Sequence, residues 1–455
     1  MGGYIMSVVE LIEKARVAQK EFESFTQEQV DVIVREIGKT VYDNAEMLAK
    51  MAVDETGMGV YEHKVAKNKG KAKVIWNDLK DKKSVGEISR NPVTNIVEIA
   101  KPIGVVGAVT PTTNPVVTPM CNAMFALKGR NAIVIAPHPR SKKCSSETVR
   151  LINERIEKLG APKNLIQIIE EPSIEKTNEL MQAADVIVAT GGMGMVKAAY
   201  SSGKPAFGVG AGNVQVIVDR DVDFVETAKK IIEGRTFDNG IICSGEQTVI
   251  SHEDDYGKVM DAFIQNGAYL VSKPEDREKL KNTLFVNGGL NKDVVGQSTQ
   301  KIAQLAGIEI PANTRVLLIE SDKYGRDEVL CKEKMCPVLT MLKYKNFDEA
   351  VHIAKTDLEM EGNGHSAAIH SNSMEHIKHV GEALSVSRLV VNAPSATTAG
   401  GSFYNGFAPT TTLGCGSWGN NSISENFTYK HLINISRIGL LREDVKVLDD
   451  AEIWA

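Results

Sequence analysis

Cysteine is scarce in this chain. Six residues (Cys121, Cys144, Cys243, Cys331, Cys336 and Cys415) among 455 cannot form the disulfide framework of a secreted scaffold. A basic excess is also missing: the net charge is −5, which argues against nucleic acid as an obligate partner, because phosphate binding needs a positive field. No apolar run approaches the ~20 residues of a membrane helix. The opening MGGYIMSVVELIEKARVAQKEF lacks the basic-then-apolar layout of a signal peptide. The expectation is a protein of a reducing cytoplasm. The Asn-x-Ser/Thr sequons at Asn420, Asn426 and Asn434 then carry little meaning.

What remains is long enough for two or three domains with sizeable cores. From Val8 to Met51 the spacing is helical. One helix is predicted through Phe22 and a second after Thr26, a cap ahead of Gln27-Glu28-Gln29. The basic stretch Lys64 to Lys83 reads as a solvated helical face. Strands and helices then alternate: strands at Ile96–Ala100, Gly104–Thr110, Ala132–Ala136, Leu165–Ile169 and Asp185–Thr190, with helices at Pro119–Leu127, Glu147–Leu159 and Ile174–Ala183. The alternation resumes with the strand Val214–Val218 and the helix Val222–Glu233. This is the pattern of an α/β protein with parallel, Rossmann-type sheets.

The segment Phe237-Asp238-Asn239-Gly240-Ile241-Ile242-Cys243-Ser244-Gly245-Glu246-Gln247 sets one cysteine among small, polar and glycine residues. Structural cysteines sit in continuous apolar runs, whereas a nucleophilic thiolate needs backbone N–H groups and solvent access. After the strand ending at Thr190 comes Gly191-Gly192-Met193-Gly194, a glycine cluster opening a helix. It suits a pyrophosphate, and a plain tight turn is the other reading. Gly208-Val209-Gly210-Ala211-Gly212-Asn213 reads equally as a ligand loop or as a crossover between domains. His138, Arg140, Lys142 and Lys143 close the strand Ala132–Ala136, where a ribose 2′-phosphate would lie, or else form a solvated basic loop. Cys331 and Cys336 form a lone C-x4-C without a second pair, so they are read as structural and no metal is expected.

Taken together, PTTNP at 111–115, the glycine loop at 190–194, GVGAGN at 208–213, the Cys243 segment, CKEKMCPV at 331–338, EGNGHSAAIHS at 361–371 and TLGCGSWGNNSISEN at 412–426 resemble the CoA-acylating branch of the aldehyde dehydrogenase superfamily. The segments VTPTTNPVVTPM, DNGIICSGEQ, SRLVVNAPSATTAGGS and FTYKHLINISRIG are similar to those of its CoA-dependent succinate-semialdehyde dehydrogenases from anaerobic bacteria.

The resemblance implies a cofactor-binding domain over 1–211, to which 412–431 returns, with an oligomerisation arm near 84–101. It implies a catalytic domain over 212–411 and an oligomerisation tail over 432–455, in a homodimer or homotetramer. Cys243 matches the nucleophile and Asn114 the oxyanion donor. Thr190, Gly191 and Gly192 match the pyrophosphate turn, and Glu333, in an E-x-x-x-P frame ending at Pro337, the ribose anchor. His365 matches a histidine common in the branch, with a role near CoA or the thioester. Ser395 and Thr397 are candidates for holding a substrate carboxylate, or shape the pocket only.

Hydrolytic members carry a glutamate in an E-L-G-G-K segment. Here 208–213 has none, which favours acyl transfer to CoA over release of a free acid. The implied reaction interconverts succinate semialdehyde and succinyl-CoA with NADP, or NAD. Another short aldehyde such as acetaldehyde or propionaldehyde is the neighbouring alternative, and a non-catalytic cofactor-binding protein on the same fold the distant one.

Overall fold

The structure is a computed structural model and describes residues 6–443 and 445–455. Three helices open the chain: Val8–Phe22, Gln27–Asp43 and Ala45–Thr56. Thr26 caps the second in a reciprocal box, accepting from the Gln29 N–H at 3.3 Å while the Gln29 side chain accepts from the Thr26 N–H at 2.9 Å. The third, which the sequence spacing runs together with the second, is set off by Asn44. A fourth, Tyr61–Leu79, carries the basic stretch.

Strands β1 (Gly86–Asn91) and β2 (Ile96–Pro102) form an antiparallel arm. A five-stranded sheet follows, with β3 (Val105–Thr110), β4 (Ala132–Pro137), β5 (Ile166–Ile168), β6 (Val186–Thr190) and β7 (Ala206–Val209) in the order β5-β4-β3-β6-β7, every pair parallel. Strands β3 and β4 are buried at every position, as expected where helices cover both faces of a parallel sheet. The helix Val117–Lys128 that follows β3 is likewise buried along its whole length.

Four residues carry the chain from β7 into a second sheet. Its strands are β8 (Val214–Val218), β9 (Glu246–His252), β10 (Ala268–Leu270), β13 (Val316–Glu320), β14 (Val338–Tyr344), β15 (Gly364–His370) and β16 (Val386–Val391); β11 (Phe285–Val286) and β12 (Gly289–Leu290) make a small hairpin apart. The order β10-β13-β14-β9-β8-β15-β16 is parallel throughout. Past β16 the chain returns to the first sheet, where Phe427 packs its ring on Phe125 and Phe207. Finally β17 (Ile433–Gly439) adds to the free edge of β2, so the arm and the tail are one three-stranded sheet. Among the described residues no helix is long and apolar enough to cross a membrane.

Candidate active site

The loop between the helix Phe224–Thr236 and β9 holds Cys243. Asp238, Asn239 and Gly240 have φ of 52°, 54° and 74°, a left-handed turn that Asp, Asn and Gly tolerate best. Such a turn persists only where its surroundings fix it. Arg235, fully buried, donates to the Glu246 carbonyl at 2.6 Å and to the Gly240 carbonyl. Asp238 is clamped from outside: it accepts from the Val60 N–H at 2.9 Å, Lys64 Nζ at 3.0 Å and Lys67 Nζ at 2.6 Å. Its own N–H donates to His63 Nδ1 at 2.9 Å, and the His63 ring stacks on Phe237.

Lys64 and Lys67 are therefore not the solvated face that their spacing suggests. They are buried on the side of their helix that grips the nucleophile loop. Burial alone would raise the Asp238 pKa, but Lys67 and Lys64 outweigh it and hold the carboxylate ionised. Burial and Lys67 push Lys64 down to about 8. Asp238→Ala leaves two buried ammonium groups without their counter-ion and is expected to cost about 3–5 kcal/mol. Chemical denaturation reads this directly; a variant as stable as the parent would show that the clamp contributes nothing.

Cys243 is enclosed by protein on all sides yet keeps some water-accessible surface. Burial pushes its thiol up to about 12, helped by Glu333 and Cys415 and opposed by Arg388. The crossover segment lies directly on it: a Cβ added to Gly212 would sit 1.8 Å from the Cys243 carbonyl oxygen and 3.3 Å from His365 Cε1. At Gly208 a Cβ would meet Val196 Cγ1 at 2.7 Å and Tyr200 Cε2 at 2.9 Å. Neither position has room for a glutamate.

His365 is fully buried. Arg388 Nε donates to Ser366 Oγ at 3.1 Å, and that oxygen is also 3.1 Å from His365 Nδ1. Nε2 is buried without a protein partner. Burial, reinforced by Arg388, pushes the imidazole well below its ordinary pKa, so the ring is neutral. Arg388 also donates to the carbonyls of His365 at 2.6 Å and Gly414 at 2.8 Å.

Asn114 lies past the carboxyl end of β3, and its side-chain Oδ1 is buried without a partner. It shares a small gap with Lys64, Lys67 and Asn68. Glu333 sits just ahead of Met335, a residue with φ of 45°, and its N–H donates to Glu361 Oε2 at 2.7 Å. Burial and Glu361 push its carboxyl up to about 8, so near neutral pH it is a donor as well as an acceptor. Cys331 and Cys336 pack into two different apolar cores of the second sheet.

Thr190 ends β6, its hydroxyl 3.0 Å from that of Thr412. A Cβ added at Gly192 or Gly194 would meet nothing within 4 Å, and at Gly191 only Met195 Cβ at 3.9 Å; the Gly192 φ is an ordinary −65°. Neither strain nor the protein's own packing calls for glycine here. A ligand lying against the backbone would, and the open surface leaves room for a pyrophosphate. His138 and Arg140 are exposed at the end of β4, with the Arg140 N–H donating to His138 Nδ1 at 3.1 Å. Lys142 is paired with Glu171.

Ser395 is buried. Its N–H donates to Glu246 Oε1 at 2.5 Å, its hydroxyl has no protein partner, and burial pushes Glu246 up to about 7. Ser244 Oγ donates to the Ala396 carbonyl at 3.4 Å, so the turn Ser395–Thr398 lies against the nucleophile loop. Thr397 Oγ1 reaches only its own turn, at 3.5 Å from the Pro394 carbonyl.

Sequence reasoning passes over three groups: Arg388, Glu246 and Lys71, whose Nζ donates to the Gly400 carbonyl at 2.8 Å and the Thr410 carbonyl at 3.2 Å. Lys71 has a signal, since it continues the face of Lys64 and Lys67 at i+7; the other two have none that is local in sequence.

The model of the aldehyde dehydrogenase family matches residues 6–431. The acetylating succinate-semialdehyde dehydrogenase of Clostridium kluyveri is 60% identical over 449 residues, which are 99% of this chain and 99% of that protein. The crystal structure of an acetylating aldehyde dehydrogenase from Geobacillus thermoglucosidasius superposes with a TM-score of 0.93 at 41% identity, covering 97% of this chain and 98% of the other. A propionaldehyde dehydrogenase from Rhodopseudomonas palustris, solved with bound CoA and an acylated cysteine, gives 0.85 at 30% identity over 96% and 98%. With two parallel sheets, a cysteine loop lying against the crossover between them, and a match that spans nearly all of its length, the chain belongs to the aldehyde dehydrogenase family.

Proposed function

We propose that the protein is a CoA-acylating succinate-semialdehyde dehydrogenase, converting succinate semialdehyde, CoA and NAD(P)+ reversibly to succinyl-CoA, NAD(P)H and a proton. The observation that carries the acylating reading is the contact of Gly212 with the Cys243 carbonyl. The crossover occupies the space beside the nucleophile and leaves none for a water-activating glutamate. The choice of substrate is supported by the likeness to the Clostridium kluyveri enzyme over almost every residue.

In this reading the Cys243 thiol gives up its proton to solvent and its sulfur adds to the aldehyde carbon, with the Asn114 amide N–H and the Cys243 N–H donating to the developing alkoxide. An oxidised nicotinamide dinucleotide, when bound, supplies the hydride acceptor. Thr190, Gly191 and Gly192 would hold its pyrophosphate, Glu333 its ribose, and His138, Arg140 and Lys142 the far ribose. Loss of hydride leaves a succinyl thioester on Cys243. The CoA sulfur then attacks that carbonyl, the Cys243–acyl bond breaks, and the proton of the CoA thiol goes to the released Cys243 sulfur. His365, whose buried Nε2 has no protein partner, is read as a polar contact for the thioester. Water attack without a positioned base is slower by a factor on the order of 10²–10⁴. A thiol needs less help.

NADP is the preferred cofactor in this reading, because Arg140 is exposed at the end of β4 with Lys142 close by in the chain. We place the enzyme in the cytoplasm as a homodimer or homotetramer, with the arm sheet and tail as its contact. Leu441, Val447 and Trp454 there are 79%, 88% and 83% exposed, more apolar surface than a lone subunit keeps in water.

The deciding assay follows NAD(P)H formation from succinate semialdehyde with and without CoA, first with NAD+ and then with NADP+. Steady turnover is expected only with CoA and faster with NADP+. Sustained turnover without CoA would overturn the acylating reading.

A further inference from the structure

His63 stands on the first turn of the helix Tyr61–Leu79, and two contacts tie its ring to the chain leading into Cys243. Its Nδ1 accepts from the Asp238 N–H at 2.9 Å, and its face stacks on Phe237 with the ring centroids 5.0 Å apart and the planes 15° from parallel. A backbone N–H can only donate, so Nδ1 carries a lone pair and the imidazole is neutral, with its proton on Nε2. Asp238 has a φ of 52°, a conformation kept only while its neighbours enforce it.

The other ties on this turn survive mild acid. The Val60 N–H, Lys64 and Lys67 hold the Asp238 carboxylate, and the Asn239 side chain donates to the carbonyls of Gly59 at 3.3 Å and Gly296 at 3.0 Å. The two ammonium groups lose protons only as pH rises, and they keep the carboxylate below its ordinary range. His63 differs. A second proton on the ring turns Nδ1 into a donor facing a donor, and the bond to Asp238 is lost. The ring is half-buried and borders an open groove, so protons from solvent can reach it.

Charges around the ring pull both ways. Asp238 on the loop and Glu62 on the same helix favour the imidazolium. Lys67 on that helix and Arg315, just ahead of β13, oppose it, and Glu233 borders the groove from the helix Phe224–Thr236. Burial is the largest influence, and the ring lies below the ordinary histidine pKa.

We infer that His63 is a positioning residue for the nucleophile: the neutral ring holds the Phe237–Asn239 turn that sets Cys243, and a proton taken up in mild acid lets that turn go. The inference rests on Cys243 being the nucleophile and is independent of which aldehyde the enzyme prefers.

Two substitutions separate acceptor, ring and charge. In His63→Asn the amide Oδ1 takes the place of Nδ1 and never protonates; in His63→Phe the stacking face stays and the acceptor goes. CoA-dependent oxidation of succinate semialdehyde is followed from pH 8 to pH 5 in the parent and both variants. At pH 8 His63→Asn keeps kcat within about twofold of the parent, whereas His63→Phe is about tenfold slower, the rate equivalent of one lost hydrogen bond, with KM little changed. Between pH 7.5 and pH 5 the kcat ratio of parent to His63→Asn drops about threefold.

Thermal melting reads the same event without turnover. The folded pKa of His63 lies below its unfolded value of about 6.5, so the unfolded chain takes the proton first. The stability that His63 contributes is whole above that value and is lost as pH falls below it. The melting temperature of the parent relative to His63→Asn therefore falls across that window. If the parent and His63→Asn respond to pH alike in both readouts, the proton-dependent hold is overturned. If His63→Phe keeps the parent kcat at pH 8, the positioning role is overturned. An enzyme without CoA-dependent turnover would sink the acylating reading, and the melting comparison would still decide whether His63 holds the turn.

Discussion

Cys243→Ala abolishes CoA-dependent aldehyde oxidation, a loss on the order of 10⁴-fold or more, while reduced cofactor still binds. The size follows from the chemistry: without the sulfur there is no thiohemiacetal to give up hydride and no thioester to pass on, and no other side chain takes over. Cys415, the nearest rival, is 1% exposed and its thiol is pushed up by burial. Stopped assays of NAD(P)H formation, with cofactor fluorescence as the binding control, separate lost chemistry from a lost fold; residual CoA-dependent turnover near the parent rate would falsify the assignment. The thiol itself predicts the pH behaviour. With its pKa at about 12, the free enzyme at pH 7 holds thiolate on the order of one part in 10⁵, so alkylation should rise about tenfold per pH unit from pH 7 upward.

Gly212→Ala produces the second large effect, through sterics alone. The new methyl would fall 1.8 Å from the Cys243 carbonyl oxygen and 2.8 Å from its carbon, a collision with backbone that no side-chain rotation relieves. Either the crossover or the nucleophile loop has to shift. A displacement of that order costs roughly 10²-fold or more in rate, and forcing extra volume into a packed interior costs about 1–3 kcal/mol. Thermal melting and kcat should fall together. A Gly212→Ala protein with parent kcat would mean that the two segments are looser than their contact implies.

The parts of this fold set by local signals were legible. The capping pair Thr26–Gln29, the helix Ile174–Ala183 and the strand Val214–Val218 fall where the pattern puts them, because caps, apolar runs and helical periods are written within a few residues. The Cys243 loop was marked by its own composition. What could not be read depends on partners far along the chain. Lys64 and Lys67 look solvated because their counter-ion is some 170 positions away at Asp238. Glu333, between two lysines, reads as surface as easily as ribose anchor, until Glu361 and the fold enclose it. Gly212 gives no local hint that it faces a backbone oxygen rather than a cofactor. The resemblance implies a role for Glu333 alone among these; the packing supplies the reasons.

The crossover at 210–213 and the return near 410–412 are the two places where the polypeptide passes between the sheets, and neither is an idle tether. The first presses on Cys243 through Gly212 and ties into the second sheet through Asn213, which donates to the Cys331 and Glu361 carbonyls. The second holds the Lys71 ammonium through Thr410 and meets the glycine turn through Thr412. Any shear between the two sheets would therefore load the Cys243 loop through Gly212 and the Lys71 ammonium through Thr410 at once.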